Sequence, residues 1–193
     1  MQPTARFSEA LAYACHLHAA QQRKGSTIPY VAHLLAVTAI VLEHGGSEDE
    51  AIAAVLHDAI EDQGGVPVRE EIRRRFGDQV AQIVEGCTDA DTIPKPPWRA
   101  RKQAYLTGLA TAGPAVRLVS AADKLHNLRS LVVDYRRLGE ALWDRFNGGK
   151  QGTLWYYRAV ATELESSPCA QLVDELRQAL AELERLVAAQ SPE

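Results

Sequence analysis

Apolar residues recur every three to four positions along most of this chain, which is the spacing that places side chains on one face of an α-helix. The segment over residues 168–190 shows it clearly, with a stripe formed by Leu172, Leu176, Leu180, Leu183 and Leu186. No run alternates as a strand does, and the strand-like piece "AVRLVSA" continues the helical spacing into "ADKLHNLRSL". The pattern predicts an all-α fold, a helical bundle of about eight to ten helices.

Start and stop signals divide this pattern into separate helices. Pro29 begins a helix that stops at Gly45. Ser47 and Glu50 have the spacing of a capping box ahead of "AIAAVLHDAIED", which is predicted as one helix ending before Gly64. The proline-rich stretch "DTIPKPP" is predicted as a loop. Further helices are predicted over residues 98–110, 114–137 and 139–165.

Length and composition indicate one domain spanning residues 1–193, with the 46% hydrophobic and 24% charged residues of an ordinary globular protein. No run of apolar residues is long enough for a membrane span, so the cytoplasm is the predicted location and no membrane partner is expected. The net charge of −4 disfavours a broad nucleic-acid interface, whereas a small anionic ligand needs only a local basic cluster. The three cysteines lie far apart in the sequence, which argues against a disulfide framework.

Four ionisable residues interrupt the apolar stretch "AVLHDAIEDQGG": His57, Asp58, Glu61 and Asp62. On one continuous helix, His57 would share a face with Glu61, and Asp58 with Asp62. A buried carboxylate is costly unless it is paired or bound to a metal ion. An adjacent imidazole and carboxylate offer one nitrogen and one oxygen ligand, which suits a first-row divalent ion.

Two further residues complete a candidate metal site. His33 lies in the apolar "YVAHLLAV" and Asp123 in the apolar "VSAADKLHNLRSL". With the adjacent pair of the first motif they give two imidazoles and two carboxylates, a set that leaves positions open for water. Glu61 and Asp62 are then predicted to orient or deprotonate that water.

The order and spacing of these motifs resemble the hydrolase domain of the RelA/SpoT family, within the HD-domain metal phosphohydrolases. "RKGSTIPYVAH" is followed by "LHDAIED" and "AADKLHNLRSL", with "TDADTIPK" and "RARKQAYL" between them. The resemblance covers roughly residues 7–165. The chain ends soon afterwards, so it is expected to be a stand-alone small alarmone hydrolase, similar to the metazoan SpoT homologues. The resemblance implies an HD-domain bundle that uses one manganese ion to remove pyrophosphate from the 3′ position of guanosine tetra- or pentaphosphate.

The resemblance also assigns roles to residues. The metal ligands that it implies are His33, His57, Asp58 and Asp123. Glu61 and Asp62 match the carboxylates that act on the attacking water. Arg23 and Lys24 match a pair that lies along the base and the phosphates. Asn127 matches a polar residue near the 3′-phosphate, and its position four residues after Asp123 puts both on one helical face.

A local basic patch offers a second group of candidate substrate contacts. The segment "PKPPWRARKQ" contains four cations and no acid, namely Lys95, Arg99, Arg101 and Lys102. In an acidic chain, this local positive charge suits a pyrophosphate group. Lys150 and Tyr157, in "RFNGGKQGTLWYYR", are further candidates for contacts with the nucleotide. His126 receives no role, although it lies three residues after Asp123.

The residues leave three functions open. The first is hydrolysis of guanosine alarmones. The second uses the same site on another nucleotide, such as the 2′-phosphate of NADPH or a nucleoside 3′-phosphate. The third is a nucleotide-binding regulator without catalysis, and the intact set of ionisable residues argues against it. Homo-oligomer formation also stays open.

Overall fold

The computed structural model describes residues 4–90 and 94–190. These residues form ten α-helices and one 3-10 helix, and they contain no strand beyond a single bridge between Gln22 and Pro29. The helices are α1 (Ala5–Leu17), α2 (Val31–Glu43), α3 (Glu48–Leu56), α4 (Ala59–Gln63), α5 (Val66–Phe76), α6 (Asp78–Cys87), α7 (Trp98–Thr111), α8 (Pro114–Leu138), the 3-10 helix (Gly139–Arg145), α9 (Gly149–Glu163) and α10 (Ala170–Ala189). The predicted all-α fold is confirmed. In the predicted loop "DTIPKPP", residues 91–93 lie outside the described residues.

Helix α8, with 25 residues, forms the centre of the bundle because it contacts α2, α3, α6, α10 and the 3-10 helix. It begins at Pro114, which suits the first turn, and is followed by Gly139 with φ of +56°. The strand-like piece of the sequence lies inside α8, as its helical spacing predicts. Asp123 is among the buried residues of α8. The central helix therefore carries a carboxylate into the core.

Helix α10 packs along α8 through its apolar stripe. The buried residues of the stripe are Leu172, Val173, Leu176, Leu180, Leu183 and Val187. At the edges of this contact, Arg129 pairs with Glu175 at 2.9 Å, and Arg136 pairs with Glu182. The second pair lies seven residues after the first on both helices, so α8 and α10 run parallel in a fixed register.

Two of the predicted helices are interrupted. The prediction of one helix over "AIAAVLHDAIED" is wrong, because α3 ends at Leu56 and α4 begins at Ala59. The prediction of one helix over residues 139–165 is also wrong. There a 3-10 helix ends at Arg145, and α9 begins at Gly149, whose φ of +55° does not continue a right-handed helix.

Within residues 4–90 and 94–190, no helix combines the length and the apolar character that crossing a membrane requires.

A close approach between α7 and the start of α9 explains why residue 148 is a glycine. At Gly148, a Cβ atom would lie 2.6 Å from Cη2 of Trp98. We expect Gly148→Ala to lower the free energy of unfolding by about 1–3 kcal/mol, because the indole has to move. Gly108→Ala is the matched control, since a Cβ there would meet nothing within 4 Å. On helix α7 it should raise stability by up to about 1 kcal/mol. Equal shifts for both variants in urea unfolding would contradict this steric explanation.

Candidate metal centre and its cavity

Three parts of the fold bring four ionisable side chains to one point. His33 comes from α2, His57 and Asp58 from the junction of α3 and α4, and Asp123 from α8. Nε2 of His33 lies 3.6 Å from Oδ2 of Asp58 and 3.2 Å from Oδ1 of Asp123. Nε2 of His57 lies 3.0 Å and 3.6 Å from the same two oxygens. Both imidazoles are 1% exposed, so this arrangement is inside the protein.

The imidazole of His57 is held in one orientation. Its Nδ1 donates a hydrogen bond to the backbone oxygen of Ala54 at 2.8 Å, so Nε2 is the nitrogen left to face the two carboxylates. Nε2 is buried and has no hydrogen-bond partner among the described residues. A second-shell carbonyl on one nitrogen, with the other nitrogen directed at carboxylates, is typical of a metal-bound histidine.

The two carboxylates favour a positive charge at this nitrogen. Burial alone would lower the pKa of His57, but Asp58 and Asp123 outweigh burial and raise that pKa well above its usual value. Burial raises the pKa of both carboxyls, yet His57 lowers that of Asp58, and Lys124 with the histidines lowers that of Asp123, well below the usual range. Both carboxylates are therefore ionised, and a cation between them and the imidazoles is favourable.

Hydrogen bonds from neighbouring residues orient the two carboxylates. The hydroxyl of Tyr30 donates to Oδ2 of Asp58 at 2.6 Å. Nδ2 of Asn127 donates to Oδ1 of Asp123 at 2.6 Å, and the buried ammonium of Lys124 donates to Oδ2. The spacing argument that placed Asn127 on the face of Asp123 agrees with this bond.

The ligand atoms fit a divalent metal ion. One nitrogen each from His33 and His57 and one oxygen from Asp58 lie within 4.8 Å of one another. Asp123 offers a second oxygen within 3.6 Å of both imidazole nitrogens. Nitrogen and carboxylate donors in this mixture suit first-row divalent ions.

His126 supports this group from outside. Its Nδ1 lies 2.7 Å from Nδ1 of His33. Burial, followed by His33, lowers the pKa of His126 to about 4, so the imidazole of His126 is neutral. This contact holds the ring of His33 with its Nε2 towards Asp58 and Asp123. His126 is not a member of the metal-binding group, but it does have a role that the sequence analysis did not give it.

The junction between α3 and α4 explains how adjacent residues reach one site. Asp58 has φ of −97° and ψ of 0°, and the helix restarts after it. The turn brings Oδ2 of Asp58 to Nε2 of His57, which a continuous helix would not do. Glu61 and Asp62 therefore lie on α4, a short helix of five residues that begins at Ala59 and ends at Gln63.

Three of the four residues, His33, Asp58 and Asp123, line one end of an open cavity of about 1200 Å³, which Glu61 and Asp62 also line. Oε1 of Glu61 accepts from Nζ of Lys95 at 2.8 Å, and Oδ2 of Asp62 accepts from Nε2 of Gln21 at 2.8 Å. Burial and Asp89 raise the pKa of Glu61, while burial and Asp58 raise that of Asp62. Carboxylates with raised pKa values are suited to proton transfer.

Four of the predicted substrate contacts line this cavity: Arg23, Lys24, Asn127 and Tyr157. Arg23 donates from Nη2 to Oδ1 of Asn127 at 2.8 Å, so these two side chains are held beside Asp123. Lys24 lies 5.7 Å from the ring of Phe146. The ring of Tyr157 is buried and forms part of the wall.

Asp89, which the sequence analysis did not identify, binds two cations of the basic patch. Arg101 and Lys102 line the cavity, but each donates to the carboxylate of Asp89, at 2.6 Å and 2.5 Å. These cations outweigh burial and hold the pKa of Asp89 below its usual value. Much of their charge is thus compensated. Arg99 turns away, with its guanidinium 3.1 Å from the ring centre of Trp155.

Two predicted contacts are outside the cavity wall. Lys95 is exposed and binds Glu61 instead of lining the cavity. Lys150 is not among the lining residues either, because its Nζ pairs with Glu140 at 2.9 Å. The sequence could not place it, since the prediction treated residues 139–165 as one helix.

Comparison with known proteins agrees with this geometry. The family described as HD domain matches residues 10–154. The guanosine-3′,5′-bis(diphosphate) 3′-pyrophosphohydrolase MESH1 of Mus musculus is 37% identical over 130 residues, covering 66% of this chain and 70% of the relative. MESH1 of Xenopus tropicalis is 40% identical over 126 residues, covering 64% and 68%.

A solved structure of a metazoan orthologue of SpoT that hydrolyses ppGpp superposes with a TM-score of 0.75 at 28% identity, covering 92% of this chain and 97% of the other. The resemblance seen in the sequence motifs is thereby confirmed. This chain belongs to the HD-domain family, among the SpoT-related 3′-pyrophosphohydrolases of guanosine-3′,5′-bis(diphosphate).

Proposed function

We propose that this protein hydrolyses guanosine tetra- and pentaphosphate to GDP or GTP and pyrophosphate. The observation that carries the proposal is the buried Nε2 of His57, which is without a hydrogen-bond partner in the described chain and faces two ionised carboxylates. Its relatives from mouse and frog bear the name of this activity.

His33, His57, Asp58 and Asp123 would together hold one divalent ion, and we propose manganese. When bound, such an ion polarises the phosphate and lowers the pKa of the attacking water. The hydrogen bonds from Tyr30, Asn127 and His126 fix the directions of these ligands before the ion arrives.

Glu61 and Asp62 are proposed to orient the water and accept its proton. The water oxygen attacks the phosphorus attached to the ribose 3′ oxygen, the bond between that phosphorus and the 3′ oxygen breaks, and the ribose oxygen takes up a proton. Arg23 and Asn127, joined by a hydrogen bond beside Asp123, are placed to bind the 3′ side of the ribose. Lys24 adds a further cation to the lining of the cavity.

We also propose that the protein works in the cytoplasm. Cys15, Cys87 and Cys169 are all unpaired. Free thiols in a chain without a disulfide framework suit a reducing compartment.

The proposed function is tested by product analysis with manganese present. Protein is incubated with guanosine tetraphosphate and, separately, with NADPH. We expect GDP and pyrophosphate from the first substrate, and no loss of the 2′-phosphate from the second. Release of phosphate from NADPH without hydrolysis of guanosine tetraphosphate would show that the substrate is another nucleotide. Binding of either nucleotide without any product would favour a regulator instead.

A further inference from the structure

The cavity continues well beyond the metal-binding group, along one side of α8. Asp123, Asn127, Asp134 and Arg137 of this helix all line it. Arg137 lies fourteen residues after Asp123, which corresponds to roughly 21 Å along a helix with a rise of about 1.5 Å per residue. The cavity therefore has a second end, separated from the metal centre by several helical turns.

Cations gather at this far end, which we define by Lys24, Asp134, Arg137 and Arg145. The exposed side chain of Arg137 has no hydrogen bond or ion pair with any described residue. Arg145 binds Asp134 at 3.1 Å. It also lies flat over Gly25, where a Cβ atom would come within 2.6 Å of its Nε. The far end is thus a positive surface with one fixed arginine and one that is free to bind.

The two ends of the cavity have opposite charge. The metal end holds four carboxylates, those of Asp58, Glu61, Asp62 and Asp123, and its cations Arg101, Lys102 and Lys124 are bound to acids. The far end has three cations and a single acid. A metal ion fits the first end, whereas the second end attracts an anionic group of the ligand.

We propose that the far end binds the 5′-phosphates of the substrate, with Arg137 as the main contact and Arg145 beside it. This rests on the proposed function, which places the 3′-diphosphate at the metal. The long side chains of Arg137 and Arg145 extend back from the far end towards the 5′-phosphates of a guanosine that is phosphorylated on both the 3′ and the 5′ oxygens, whereas a guanosine with a 3′-diphosphate alone offers them no phosphate. The far end therefore selects among nucleotides by the number of their 5′-phosphates.

The test compares guanosine pentaphosphate, guanosine tetraphosphate and guanosine 3′-diphosphate with manganese present. KM is measured by product release, and Kd by calorimetry on the Glu61→Gln background, where turnover is slow. For the natural chain, we expect KM and Kd to fall as 5′-phosphates are added. Arg137→Gln should raise both by about tenfold for the tetraphosphate, the scale of one charge-assisted contact. It should change neither for the 3′-diphosphate.

Two further variants sharpen the result. Arg136→Gln is the matched control, because Arg136 is also exposed on α8 but binds Glu182 and does not line the cavity. Asp134→Asn removes the acid that competes for Arg145, so it should lower KM for the tetraphosphate. Equal constants for the three nucleotides, or equal effects of Arg136→Gln and Arg137→Gln, would overturn the inference. Failure to hydrolyse any of the three would instead refute the proposed function, while the Kd series would still decide the 5′-phosphate site.

Discussion

Asp58→Asn is expected to remove most bound manganese and to lower kcat for guanosine tetraphosphate by about 10³-fold or more. Oδ2 of Asp58 is 3.0 Å from Nε2 of His57 and 3.6 Å from that of His33, so it supplies negative charge where both imidazole nitrogens converge. The amide keeps the shape but is neutral, and it competes poorly for a divalent ion. Metal content by mass spectrometry and initial rates at saturating substrate measure the two effects.

The control for this change is Asp174→Asn, on the exposed side of α10. It alters the same chemical group far from the cavity and should leave both metal content and kcat unchanged. Circular dichroism of both variants checks that the helices persist. Asp58→Asn protein that kept its full metal content would show that the ion is held elsewhere.

Glu61→Gln is expected to lower kcat by about 10²–10⁴-fold while metal content stays at the level of the natural chain. Glu61 lines the cavity but is not among the residues whose ligand atoms converge on the metal centre. Its loss therefore removes the proton acceptor and leaves the ion in place. Loss of metal together with activity would mean that Glu61 is a ligand and not a base.

The pH dependence of kcat gives a second test of Glu61 as a base. A base acts as the carboxylate, so kcat falls as the pH decreases through the pKa of Glu61. Because burial and Asp89 raise that pKa, the acidic limb should lie above the usual range of a glutamate. Glu61→Gln should abolish this limb, whereas the control Glu71→Gln, on the surface of α5, should retain it.

Residues with a repeating or local signal were predictable from the sequence. The capping box of Ser47 and Glu50 is present as expected, because it depends only on neighbouring backbone and side chains. His33, His57, Asp58 and Asp123 do converge, because ionisable residues in apolar helices need a shared partner. Their role as ligands stays a prediction until metal is measured.

Features set by contacts distant in sequence were not predictable. The turn at His57 and Asp58 contains no glycine or proline, so the helical periodicity of the sequence predicted one continuous helix through it. Asp89 lies thirteen residues before Lys102, and nothing local shows that it neutralises the basic patch. His126 touches His33 across 93 positions of the chain. In the sequence, Asp89 and His126 are each a single polar residue, and a single polar residue is most often explained by exposure to solvent.

The parallel pairing of α8 with α10 has a consequence for how this chain can vary in length. Helix α8, which carries Asp123 and Asn127, packs on its other side against α10, and the ion pairs between the two helices recur after seven residues. One residue inserted within α10 would rotate everything after it by about 100° and turn the leucine stripe away from α8. Seven inserted residues would nearly restore the facing side, and changes in the connection before Ala170 would leave it untouched. Homologous chains should therefore differ in length at that connection and keep the helix itself constant.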